Sequence, residues 1–148
     1  MDPLYGQRTA YPKAAELNNK WVLIDAKDKT LGRLASTVAA RLLGKDKVNF
    51  QPGVMIGDQV IVINSDHIKV SGNKGAQKEY KRHTGYLGGV KARTYDEQKE
   101  LDSTKLITLA VHGMLPKTKA GRKLEKRLRV FPTETHNLTA QQPATIEA

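Results

Sequence analysis

No cysteine occurs in the 148 residues, so neither a disulfide framework nor a thiolate zinc site is open to this chain. That absence suits a reducing compartment. Long apolar runs are missing as well: stretches such as Gln59 to Ile63 fall far short of the roughly 20 residues that span a bilayer. The opening MDPLYGQRTAYPK lacks the apolar core of a signal peptide, which adds to the expectation of a soluble, intracellular protein without a membrane partner. His67, His83, His112 and His136 are scattered, with no i, i+4 pair beside a carboxylate, so no metal site is expected. Nucleotide-enzyme signatures fail too. Leu87-Gly88-Gly89 lacks the G-x-G-x-x-G spacing, and Gly44-Lys45 runs into Asp46 without the preceding glycine of a phosphate loop. Asp25 and Asp58 lie at the ends of expected strands, where turn-capping and ion pairing account for them better than acid-base chemistry, and Ser36 and Ser71 have no base beside them. No cofactor, catalytic residue or small-molecule substrate is expected.

What the chain does have is positive charge. Lysine and arginine number 25 against 15 acidic residues, a formal net charge of +10, which calls for an anionic partner. Nucleic acid is favoured over an acidic membrane surface, because no segment forms a basic amphipathic helix with Trp and Phe on one face. The length suits one domain, large enough to bury roughly 70% of the surface its unfolded chain exposes.

The charge is concentrated in two places. Tyr80 to Thr94, YKRHTGYLGGVKART, interleaves Lys81, Arg82, Lys91 and Arg93 with Tyr80, His83 and Tyr86, and carries Gly85, Gly88 and Gly89. Cations can meet phosphates, flat rings can stack on an unpaired base, and glycines let a backbone approach a sugar-phosphate strand. A charge run is usually a solvated face, but that reading gives no reason for three glycines inside a basic ribbon. The second concentration is Lys117, Lys119, Arg122, Lys123, Lys126, Arg127 and Arg129, against the single Glu125. Leu124 and Leu128 are expected to share one side of a helix there.

Between these lie the signs of an α/β domain over residues 21–131, flanked by an N-terminal arm, 1–20, and a C-terminal arm, 132–148. WVLIDA from Trp21 and QVIVIN from Gln59 read as buried strands. Between them Leu31, Leu34, Ala35, Val38, Ala39 and Leu42 form one helical stripe, with Thr30 as N-cap and Gly44 as stop. Apolar strands joined through a helix suggest a parallel sheet covered on both faces. A third short strand is expected over Ile68 to Ser71, then a flexible cationic loop over Gly72 to Gly75. Thr94 and Glu97 match a capping box, Ser103 is a second candidate N-cap, and the helical region should break at Gly113 and close at Pro116.

Taken together, WVLIDA at Trp21, LGRLAS at Leu31, GD-x-VIVIN at Gly57, KVSGNK at Lys69, Y-x-RHTGY-x-GG at Tyr80, GMLPK at Gly113, GR at Gly121 and AQQP at Ala140 resemble the bacterial and organellar family of large-subunit ribosomal protein thirteen. The resemblance runs from about Trp21 to Pro143. It implies a three-layer α/β/α fold with a four-stranded parallel sheet, basic loops and extended termini. It also implies a non-enzymatic role: binding large-subunit rRNA beside neighbouring ribosomal proteins and supporting assembly of the large subunit. The implied RNA contacts are Lys74, Lys81, Arg82, His83, Thr84, Gly85, Tyr86, Gly88, Gly89, Lys91 and Arg93, together with Lys117, Lys119, Arg122 and Lys123. The chain departs from the family pattern at Phe131 to Asn137, which keeps only His136 of two close histidines, and at His112, where a lysine is common. Two other classes use the same basic surface: a small phosphate-handling enzyme and a regulator that binds messenger RNA.

Overall fold

The computed structural model describes residues 12, 13, 17 and 19–146. Most of the expected N-terminal arm, including Tyr5, Arg8 and Tyr11, lies outside the described residues. Four parallel strands make the central sheet: β1 (Trp21–Asp25), β2 (Gln59–Ile63), β5 (Leu128–Val130) and β6 (Ala144–Ile146), in the order β5-β2-β1-β6. Helices α1 (Leu31–Leu43), α3 (Tyr95–Met114) and α4 (Lys119–Glu125) flank it, while a short helix α2 (Lys74–Gln77) leads into an antiparallel hairpin, β3 (Glu79–His83) and β4 (Val90–Thr94).

The core follows the apolar periodicities. Val22 and Ile24 of β1 and Val60 and Val62 of β2 pack with the full α1 stripe and with Leu106, Ile107 and Val111 of α3. Ile61 and Ile63 point the other way and are buried too, so β2 is covered on both faces, as its continuous apolar run requires. The stripe ends at Gly44, whose φ of 79° lets its N–H reach the carbonyls of Ala40 and Arg41.

Several local expectations are corrected. Thr30 occupies the N-cap position but its side chain caps nothing; the start of α1 is held by a single parallel bridge, with the Leu31 N–H on the Lys69 carbonyl and the Lys69 N–H on the Lys29 carbonyl. That bridge is all that forms of the expected strand at Ile68 to Ser71. The expected loop at Gly72 to Gly75 winds into α2, which lies so close to α3 that a Cβ on Gly75 would meet Asp96 Oδ2 at 2.7 Å.

Helix α3 begins with the expected capping box between Thr94 and Glu97, yet it breaks at Asp102 (φ −165°, ψ 97°) and runs on through Gly113. Asp102, rather than Ser103, restarts the helix by accepting from the Thr104 N–H at 3.1 Å. Ser103 instead joins its hydroxyl to Ser65 and Asp66 beneath the kink. Leu128 belongs to β5 and not to a helix shared with Leu124, because α4 ends at Glu125. The C-terminal arm expected from residue 132 onward returns to the sheet: Ala144, Thr145 and Ile146 pair with Val22, Leu23 and Ile24. Three mostly exposed residues at a sheet edge carry no apolar run that would reveal them.

Candidate nucleic-acid interface

The β3–β4 hairpin places its cations by register. Tyr80 pairs with Arg93 and Arg82 with Lys91, and these alternate pairs share one face of the ribbon. Three cations therefore stand together, two of them directly opposed. The other face carries Glu79 with Thr94, Lys81 with Ala92, and His83 with Val90, and there Lys81 is paired to Glu79 at 3.1 Å. His83 is thus separated from Arg82, Lys91 and Arg93, although both faces of the outer ribbon are exposed.

Tyr80 does not offer the free stacking face expected of it. It is half-buried against the core, its hydroxyl lacks a hydrogen-bond partner among the described residues, and burial raises its pKa. Below it, Tyr95 is 2% exposed; burial, with Tyr80 and Asp96 nearby, pushes its phenol up to about 12. These two rings fix the base of the hairpin to the domain.

At the tip the Thr84 N–H donates to the Gly89 carbonyl and the Gly89 N–H to the Tyr86 carbonyl, each at 2.9 Å. The Gly85 N–H donates to His83 Nδ1 at 2.9 Å, which leaves Nε2 as the ring nitrogen outside this bond. Gly85 and Gly88 have φ of 96° and 71°, the left-handed region, and a Cβ on Gly89 would sit 2.0 Å from Thr84 Oγ1. The turn itself therefore accounts for all three glycines, whatever lies against them. It presents Tyr86, 80% exposed, and Leu87, wholly exposed, at the apex.

Lys117, Lys119, Arg122 and Lys123 are all exposed around α4. Thr118 caps this helix by accepting from the Gly121 N–H at 3.4 Å. Buried Gly121 lets it press on the preceding chain, since a Cβ there would stand 1.7 Å from the Pro116 carbonyl oxygen. His112 Nδ1 meets Glu125 Oε2 at 3.0 Å and ties α4 to α3. The hairpin leads into the start of α3 and α4 follows its end, with the break at Asp102 between them. The cations thus fall in two groups along the chain, one on the hairpin with Lys74 on α2 beside it and one around α4. The structure removes Arg127 from the second: that guanidinium donates to the carbonyls of Met55 and Gly57, at 3.3 and 2.7 Å, and burial lowers its pKa against the opposing effect of Asp58.

The residues weighed for acid-base chemistry have other work. Asp58 accepts from the Lys20 N–H at 3.0 Å and pairs with Lys47. Asp25 accepts from the Lys27 N–H at 2.9 Å and the Asn64 amide at 2.8 Å. Partial burial alone would raise the Asp25 carboxyl, but these two donors and the charges of Lys27 and Lys29 hold it below 3.8. Exposed cations outside the expected set include Arg33 and Lys78, whose place beside Lys74 depends on tertiary packing that spacing alone does not reveal.

The sequence model of the family described as Ribosomal protein L13 matches residues 19–137. A large ribosomal subunit protein uL13 from a Nitratiruptor species is 51% identical over 133 residues, covering 90% of this chain and 95% of that protein. Another from Halorhodospira halophila is 47% identical over 140 residues, covering 95% and 99% respectively. One from Leuconostoc mesenteroides subsp. mesenteroides is 43% identical over 139 residues, covering 94% of this chain and 95% of that protein. The four-stranded parallel sheet with flanking helices, the two cationic clusters and these matches along most of the sequence agree: the chain belongs to the ribosomal protein L13 family.

Proposed function

We propose that this protein is a structural constituent of the large ribosomal subunit that binds large-subunit rRNA, supports its assembly and works without catalysis. It does so in the cytoplasmic ribosome of a bacterium or its organellar equivalent, beside other large-subunit proteins. The observation that carries this reading is the hairpin register, which sets Arg82 directly against Lys91 with Arg93 on the same exposed face. Like charges in that position repel, and phosphate oxygens between them relieve the repulsion.

The assigned contacts are Lys74, Lys81, Arg82, His83, Thr84, Gly85, Tyr86, Gly88, Gly89, Lys91 and Arg93 before α3 in the chain, and Lys117, Lys119, Arg122 and Lys123 after it. Two cationic groups on separate elements suit recognition of RNA tertiary shape, because A-form grooves hide most base identity from side chains. Each neutralised phosphate releases counterions, so affinity for rRNA should fall by roughly a thousandfold or more between 50 and 200 mM salt. Sedimentation tests the assignment: the protein should travel with the large subunit through a moderate salt wash and be absent from small subunits. Free migration under the same conditions would contradict it.

A further inference from the structure

Away from the hairpin tip, the start of α1, residues 70–78 and the last turns of α3 surround a cavity of about 1050 Å³. Its size lies just above the range of about 300–1,000 Å³ typical of small-molecule sites. Val70, Leu109 and Met114 give it apolar walls, and Leu109 and Met114 remain 47% and 45% exposed. Arg33, Lys74 and Lys78 supply cations at the same cavity, and among the described residues no acidic side chain lines it. Lys74 Nζ donates to Ser71 Oγ at 3.3 Å, while Lys78 stands over the Tyr80 ring at 5.5 Å from its centroid. Lys78 directly precedes β3, so the cavity adjoins the hairpin assigned above to rRNA, with Glu79 and its ion pair to Lys81 between Lys78 and Arg82.

Apolar walls for a flat ring and exposed cations for a phosphate match a nucleotide better than an apolar peptide, which would use the walls and none of the three cations. We propose that this cavity takes one unpaired nucleotide of the large-subunit rRNA, its base against Val70, Leu109 and Met114 and its phosphate near Arg33, Lys74 and Lys78. The inference rests on the rRNA-binding reading and adds a site that the charge clusters alone do not contain.

Gly113 makes the idea testable. It lines the cavity inside α3, a Cβ built on it meets no heavy atom within 4 Å, and leucine is a better helix former than glycine. Gly113→Leu should therefore fill the cavity and melt no lower than wild type. The full-length protein, its Gly113→Leu and Leu109→Gln variants and an Arg33→Gln variant would be titrated with transcribed large-subunit rRNA at several salt concentrations. Each of the first two should lose affinity by at least about fivefold, as expected for one displaced base, with an unchanged salt slope. Arg33→Gln should lose affinity and show a slope smaller by about one phosphate contact. Wild-type affinity in both Gly113→Leu and Leu109→Gln overturns this inference alone, whereas failure of the wild-type protein to bind rRNA overturns it together with the proposed function. Unchanged rRNA affinity with poor incorporation into subunits would assign the cavity to a protein neighbour, and the nucleotide assignment falls.

Discussion

Arg82 faces Lys91 across the β3–β4 hairpin, a directly opposed pair of cations on a ribbon with Arg93 on the same side. Nothing in the fold benefits from that opposition, since like charges across an antiparallel pair weaken it. The arrangement separates charge used for binding from charge used for folding, as in Arg127 and Lys47, which are tied to backbone carbonyls and to Asp58.

Replacing Arg82 and Lys91 together with glutamine should weaken rRNA binding and flatten its salt dependence, the slope of log affinity against log salt shrinking by roughly 1.4 to 1.8 for two lost phosphate contacts. The melting temperature of the free protein should hold or rise. A large drop in melting temperature with unchanged affinity would make the pair structural.

Leu34 is 1% exposed in the middle of the α1 stripe. Leu34→Ala should cost about 2–5 kcal/mol, read by chemical denaturation. A loss below about 0.5 kcal/mol would break the packing account.

Gly121 and Gly113 give a contrast within 8 residues. A Cβ at Gly121 meets the Pro116 carbonyl oxygen at 1.7 Å, so Gly121→Ala should force α4 away from the chain and destabilise the protein by about 1–3 kcal/mol. Gly113→Ala, in open space within a helix, should be neutral or stabilising. Equal melting temperatures for the two variants would contradict the close approach.

Acid should weaken the fold through Asp25 and Asp102. Burial pulls the Asp25 carboxyl up, but its amide donors and nearby lysines hold it down; Asp102 is held down first by the Thr104 hydroxyl, then by Lys105 and the Thr104 N–H. Both carboxyls titrate below their ordinary 3.8 in the folded protein. Their contribution is fully present above 3.8 and is lost as pH falls through the range beneath it, because the unfolded chain takes up protons first. An Asp25→Asn variant should show a shallower loss of stability over that range in denaturant titrations. An identical pH profile would remove Asp25 from the account.

Periodicity made β1, β2 and the whole α1 stripe legible, and the Thr94–Glu97 spacing located the start of α3, because each signal lies within one element. Features that depend on a distant partner were not legible in this way. Ile68 to Ser71 has the composition of a strand but only Lys69 bridges, to Thr30, while Ala144 to Ile146 lacks that composition and pairs with β1 all the same. The break in α3 falls at Asp102, where a side chain can cap a new start, and not at Gly113, which a helix tolerates at modest cost. For the site, composition located the cations. Register was needed to show that Arg82, Lys91 and Arg93 share a face, that His83 is on the other, and that Tyr80 belongs partly to the core.

The most direct test is residue-level protection of lysines. Acylation of primary amines would be compared between the free protein and the protein assembled in large subunits, with each lysine read by mass spectrometry. Lys91, Lys117, Lys119 and Lys123 are exposed on the free protein and should lose most of their reactivity on assembly, while exposed Lys105, on α3 and outside both clusters, keeps its own. Full reactivity at all four lysines in a protein that still sediments with the subunit would contradict the account.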